Sequence, residues 1–114
     1  MASAIPLNTF KTVISNVTVA ANTVYTCPAG VTTVILLAQV SNIDTHANTV
    51  QVTASHTRGA NTTRLIADVN IPTQDAASLL MGKLVLESGD GFSIKANQEN
   101  GAELTLSILE TANA

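Results

Sequence analysis

Apolar and polar residues alternate along this chain with a period of two. Val50, Val52 and Ala54 are interleaved with Gln51, Thr53 and Ser55, and Leu65, Ala67, Val69 and Ile71 with Ile66, Asp68 and Asn70. The same pattern recurs in Phe92, Ile94 and Ala96 against Ser93, Lys95 and Asn97, and in Leu104, Leu106 and Ile108 against Glu103, Thr105 and Ser107. Successive side chains of a strand point to opposite faces, so each segment predicts a strand with one buried and one wetted face, as in antiparallel sheets. Helical spacing is confined to a scrap at residues 75–80, too short to hold a helix alone. The run Val34-Ile35-Leu36-Leu37-Ala38 is apolar on both faces. It predicts a central strand, or one whose outer face meets another surface.

Turn chemistry separates these segments. Cys27-Pro28-Ala29-Gly30 places the fixed φ of proline and a closing glycine where a turn needs them. Arg58-Gly59-Ala60-Asn61 ends the strand that begins at Val50, and Pro72-Thr73-Gln74-Asp75 ends the one that begins at Leu65. Ser88-Gly89-Asp90-Gly91 and Asn97-Gln98-Glu99-Asn100-Gly101 bracket the Phe92 strand, the second closing on Asn-Gly, a hairpin signal. About eight strands follow, near 10–19, 23–27, 31–43, 48–57, 64–72, 78–87, 91–97 and 102–110. The predicted fold is all-β: a single antiparallel β-sandwich, jelly-roll or Greek-key-like. Residues 1–9 precede any periodicity and read as an N-terminal arm, with the sandwich over residues 10–114.

Composition narrows the range of functions. Only 11% of the 114 residues are charged, against roughly 25% in an average domain, and the net charge is −3. Lys11, Arg58, Arg64, Lys83 and Lys95 are scattered singly, so the cationic face needed to displace counterions from nucleic acid is missing. No apolar run approaches the ~18 residues of a membrane helix, and the first residues lack the pattern of a signal peptide. Neither a nucleic acid nor a membrane is therefore an expected partner. Cys27 is the sole cysteine and is expected to be a buried, inert thiol.

Candidate chemistry is sparse. Asp44 and His46 share one side of an extended segment, which suits a metal or acid–base pair, but two dispersed histidines make no ligand motif. The segment 44–48 reads as a polar loop, and His56 as the end of the buried Val50 register. Ser88-Gly89-Asp90-Gly91 lacks the further ligands of a calcium loop and the Lys-Ser/Thr of a phosphate loop. Asn16-Val17-Thr18 and Asn61-Thr62-Thr63 match the glycosylation acceptor pattern at the frequency expected of an Asn- and Thr-rich chain. No catalytic residue, metal site or cofactor is expected, and the chain is not expected to be an enzyme. With Tyr25, Phe10 and Phe92 as the only aromatics, ring stacking on sugars is poorly served too.

A surface of Thr, Asn, Ser and Ala can be desolvated at low cost, because burying an unpaired charge costs several kcal/mol. The expected role is therefore an assembling module. The candidate contact surfaces are Ile5, Pro6 and Leu7 in the arm, and Thr33, Ile35, Leu37 and Gln39 as one exposed strand side.

The stretch Thr23-Val24-Tyr25-Thr26-Cys27-Pro28-Ala29-Gly30, followed by Val31-Thr32-Thr33-Val34-Ile35-Leu36, resembles the opening of small β-structured virion proteins of tailed bacteriophages, marine and cyanobacterial ones included. Gly82-Lys83-Leu84-Val85-Leu86-Glu87-Ser88-Gly89-Asp90 resembles a later hairpin of the same family. The resemblance spans roughly residues 23–110 and rests on turn and strand chemistry, so it carries over no functional residue. It implies a virion structural protein, foremost a capsid decoration or cement subunit contacting the major capsid protein or other virion proteins in repeated or homo-oligomeric copies. A tail, neck or fibre component is the alternative. A glycan- or receptor-binding adhesin using loops 44–48 and 58–62 is a further one.

Overall fold

β-branched residues and period-two alternation put most of the chain into strands. A computed structural model describes residues 8–44 and 48–112. Among them are nine strands: β1 (Asn8–Asn16), β2 (Asn22–Thr26), β3 (Val31–Asn42), β4 (Val50–Arg58), β5 (Asn61–Ile71), β6 (Ala76–Ser78), β7 (Leu84–Leu86), β8 (Gly91–Ala96) and β9 (Ala102–Ala112). Two of the residues assigned to the arm by sequence, Asn8 and Thr9, are in β1, paired with Thr111 and Glu110 of β9. Ile5, Pro6 and Leu7 lie outside the described residues.

The strands form two antiparallel sheets. One has the order β1-β9-β3-β6, with β7 also paired to β3; the other has the order β2-β8-β4-β5. The pairings β1 with β9, β2 with β8, β3 with β6 and β7, and β4 with β5 are nested like the rungs of one long hairpin. Its tip is the two-residue turn Gly59-Ala60, where Gly59 has φ 59°. That hairpin is rolled so that β3–β9 and β4–β8 contacts close each sheet, which is the jelly-roll topology.

Rolling changes the meaning of two turn signals. Asn97–Gly101, with Asn100 in the left-handed region at φ 55°, does not close a hairpin: β8 and β9 lie in different sheets, and the segment carries the chain across the sandwich. Ser88–Gly91 likewise leads from β7 in one sheet to β8 in the other. The strand expected over 78–87 is two short strands, β6 against Gln39–Ser41 and β7 against Thr33–Ile35. The interruption falls opposite residues 36–38, beside a β-bulge in β3 between Ile35 and Leu37.

The core lies between the sheets. Ile35, Ala38 and Val40 of β3 and Leu104, Leu106 and Ile108 of β9 face Val50, Val52 and Ala54 of β4 and Phe92, Ile94 and Ala96 of β8, all buried. The alternation in β4, β8 and β9 is thus realised as the sequence predicts. In β5 it is not. Its register against β4 shifts between Val52 and Ala54 and again between Ala54 and Ser55, and Asp68 has φ 48°. Ala67 is consequently exposed, while Ile66 joins Leu65 and Val69 against the core.

Candidate functional site

One end of the sandwich, where the β2–β3, β4–β5 and β7–β8 connections meet, is held by polar side chains. Asp90, buried in the β7–β8 turn, accepts from Arg58 Nε to Oδ1 at 2.9 Å and from Arg58 Nη2 to Oδ2 at 2.7 Å. His56 Nε2 lies 3.0 Å from Oδ2, and the Glu87 amide donates to the same oxygen at 2.9 Å. The Arg58 guanidinium, helped by the Glu87 amide and His56, holds the Asp90 carboxyl far below the usual carboxylate range, against the opposing effect of burial. With its lone pairs directed at these donors, this carboxylate secures a turn rather than accepting a substrate proton.

A second cluster ties the two sheets together at the same end. Tyr25 of β2 donates its phenol to Glu110 of β9 at 2.6 Å, which leaves Thr33 of β3 as the donor across the 2.8 Å contact to the phenol oxygen. Lys11 of β1 pairs with Glu110 at 2.8 Å. Burial and the Glu110 carboxylate push the Tyr25 phenol up, while Lys11 and then Tyr25 pull Glu110 down. Backbone bonds between Cys27 and the Gly89–Asp90 peptides join the two clusters.

Cys27 is buried, with its thiol 3.2 Å from the Val31 carbonyl and 3.2 Å from Thr33 Oγ1. Native protein is therefore expected to leave this thiol unmodified by an aromatic disulfide reagent over hours, and to react within minutes once denatured. Rapid labelling of the folded chain would contradict that burial.

Of the Asp44–His46 pair, His46 lies outside the described residues. Asp44 accepts from the Asn48 amide at 3.0 Å. No cluster of metal-ligating side chains occurs among the described residues.

The surface with unusual character is the outer face of the five-stranded sheet. Residues paired across antiparallel strands share a face. Phe10 pairs with Leu109, Leu109 with Val34, and Val34 with Val85, which makes one apolar row across four strands. Thr12, Ser107 and Leu37 form the next row, and Ile14, Thr105, Gln39 and Ser78 the third. None of these residues is charged. Phe10 is 74% exposed, Ile14 76% and Val85 51%, with Leu36 and Leu37 partly exposed at the bulge.

This arrangement corrects the contact side expected in β3. Thr33 and Ile35 are fully buried, while Leu37 and Gln39 are exposed. The extra residue at the bulge reverses the alternation, so Thr33 and Ile35 share the core face with Ala38 and Val40. Phe10, Ile14 and Val85 were not singled out by sequence. The available signal was β1 itself, where Phe10 and Ile14 sit on one parity and Val13 on the other, an edge strand apolar on both sides.

The opposite outer face is different in kind. An open groove of about 730 Å³ on the four-stranded sheet is lined by the hydroxyls of Thr23, Ser55, Thr57 and Ser93, with Arg64 and Lys95 beside them. Apolar exposure is thus concentrated on one sheet and polarity on the other.

The chain shares its fold with subunits of built particles. A chain of the acid-stable capsid of Helicobacter pylori bacteriophage KHP30 is 8% identical with a TM-score of 0.55, over 96% of this chain and 90% of that one. A chain of the disulfide-linked pili that form Bacillus endospore appendages is 11% identical with a TM-score of 0.54, over 100% of this chain and 99% of that one. A pentameric capsid protein from metagenomic phage sequences is 16% identical with a TM-score of 0.44, over 90% of this chain and 62% of that one. At these identities the likeness to the first two is one of fold. No family model matches the chain, and no curated protein matches it by sequence.

Proposed function

We propose that this chain is a structural protein of a bacteriophage particle, and specifically a capsid decoration subunit present in many copies. The observation that carries this reading is the three uncharged rows on the outer face of the five-stranded sheet, with Phe10, Ile14 and Val85 in water on a jelly roll. Contiguous exposed apolar surface marks a site of association, and protein is the partner that covers such a face without stranding charge. The fold shared with a capsid chain of a phage, and the strand and turn motifs resembling virion proteins of tailed phages, marine and cyanobacterial ones included, both favour this setting. The reading includes no reaction and no cofactor.

Assembly in this scheme is non-covalent, because the sole cysteine is buried in the sandwich rather than offered to a neighbour. The subunit works by covering surface between neighbouring capsid subunits, so that loosening the shell requires breaking those contacts. Quantitative mass spectrometry of purified particles, with an electron-microscopy map, tests it. Hundreds of copies on the shell are expected. A few to dozens at the tail or neck would replace the decoration role by a tail role, and absence from particles would overturn the structural reading altogether.

A further inference from the structure

The three rows on the outer face of the five-stranded sheet have an internal symmetry. The Phe10 row and the Ile14 row lie on either side of the row Thr12–Ser107–Leu37. A twofold axis lying in the face along that middle row reverses strand direction and stacks each strand on its own copy. It brings Phe10 of one copy over Ile14 of the other, and the reverse, with Leu37 over Leu37 in between. On the far strands it brings Val85 over Ser78, an apolar side chain against a small one. We infer that the occupant of this face is a second copy of the same chain, in a face-to-face dimer with aligned sheets roughly 10 Å apart. The inference rests on the reading of this face as an assembly surface and names the partner for it.

Charge and area support a self-pairing. A chain of net charge −3 approaches its own copy with little repulsion through this face: its three central rows are uncharged, and Glu103, in the next row with Asn16 and Ser41, is brought by the twofold over the Thr111 row rather than over its own copy. Four strands about 4.8 Å apart and nine residues long present roughly 500 Å² per copy, or about 1,000 Å² in all. That is near the lower limit for a specific interface, so the dimer is weak in dilute solution and gains from the high local concentration of an assembly. The hydroxyl-lined groove of the other sheet stays free for other contacts.

The test uses the isolated full chain in sedimentation velocity and native mass spectrometry, from about micromolar to about millimolar concentration. The wild type is expected to pass from monomer to dimer over this range. Phe10→Lys and Ile14→Asp are each expected to weaken the dimer tenfold or more, and Val85→Lys to weaken it as well. Thr62→Lys, on the other sheet, is expected to leave it unchanged. An equimolar mixture of Phe10→Lys and Ile14→Asp is expected to recover a heterodimer, since the twofold places the new lysine over the new aspartate. All of these positions are exposed or half-exposed, so an unchanged melting temperature verifies that each variant is folded. A wild type that stays monomeric throughout, a dimer indifferent to Phe10→Lys and Ile14→Asp, or a mixture that stays monomeric would each overturn the proposed pairing. The structural role is judged separately: a monomeric chain found in hundreds of copies per particle removes the dimer alone, and a dimer absent from particles removes the virion role alone.

Discussion

Asp90→Ala is expected to lower the melting temperature by about 12 °C, from a loss of about 3 kcal/mol at about 4 °C per kcal/mol for a chain of this length. The carboxylate is 2% exposed and gathers donors from three residues: Arg58 and His56 at the end of β4, and Glu87, through its amide, in the carboxylate's own turn. Removing it leaves the Glu87 amide and the His56 ring without this acceptor, while Arg58 keeps Glu87 and water, and the loss of several charge-assisted bonds together costs more than the mean value of a hydrogen bond. The change also unfastens the β7–β8 crossing from the tip of the β4–β5 hairpin, so unfolding is expected to begin at this end. Amide hydrogen exchange locates it. Protection lost at the Glu87 and Cys27 amides, with the Val50 end of β4 unchanged, is the expected pattern. A melting temperature within about 2 °C of wild type would show that the cluster contributes little.

The same residue sets a pH dependence. Its folded-state pKa is depressed, so its contribution to stability is complete above the unfolded carboxylate range near pH 4 and is lost as pH falls through the lower, folded-state value. Glu110, lowered by Lys11 and Tyr25, acts in the same direction. The melting temperature is therefore expected to fall below about pH 4, and to fall less steeply in Asp90→Ala, which has lost one of the two linked carboxylates. Calorimetry across the acid range gives both slopes. Identical slopes would remove Asp90 from the account.

Phe92→Ala is expected to cost about 3–5 kcal/mol, the largest effect of any single truncation in the core. Phe92 is the one fully buried aromatic among the described residues, between the sheets at the centre of β8 pairings to Tyr25 and His56. Deleting it removes both transfer energy and packing that the flanking strands cannot collapse to replace. Against a total stability of ~5–15 kcal/mol for an ordinary domain, this brings the chain close to unfolding at 37 °C. Phe92→Leu, which retains most of the volume, is expected to cost about 1 kcal/mol. Phe10→Ala makes the internal comparison. At 74% exposure it is expected to change the stability of the isolated chain by no more than about 0.5 kcal/mol. Chemical denaturation separates the two phenylalanines, and similar costs at positions 10 and 92 would mean that the outer face is packed in the isolated chain.

Strand content and the inward set of β4, β8 and β9 were legible in the residues, because alternation is a local property and these strands run without interruption. The β3 contact side was not. Its odd-numbered residues Thr33, Ile35, Leu37 and Gln39 read as one face, yet the bulge divides them into two core positions and two surface positions. A bulge leaves no composition signal in a run such as Val-Ile-Leu-Leu-Ala, where either register offers an apolar side chain to the core. β5 fails for the same reason, through its own register shifts against β4. The Asp90 cluster was equally hidden. His56 and Asp90 are 34 positions apart, and only the crossing of the β7–β8 turn over the hairpin tip brings them within 3.0 Å.

What the sequence determined by itself was the class: strands of one apolar face, broken by Gly, Pro and Asn turns, with too few charges to clothe an ordinary free surface. Period-two alternation and turn propensity are set by neighbours in the chain, so they survive being read one window at a time. The tertiary structure decided which strands pair, which turns cross between sheets rather than closing hairpins, and which side of β3 meets water. Those outcomes depend on hydrogen bonds between residues remote in sequence, and a single extra residue in one strand moves a side chain from the core to the surface. The apolar row Phe10–Leu109–Val34–Val85 exists only because four separate strands are brought into register, and no one of those strands contains it.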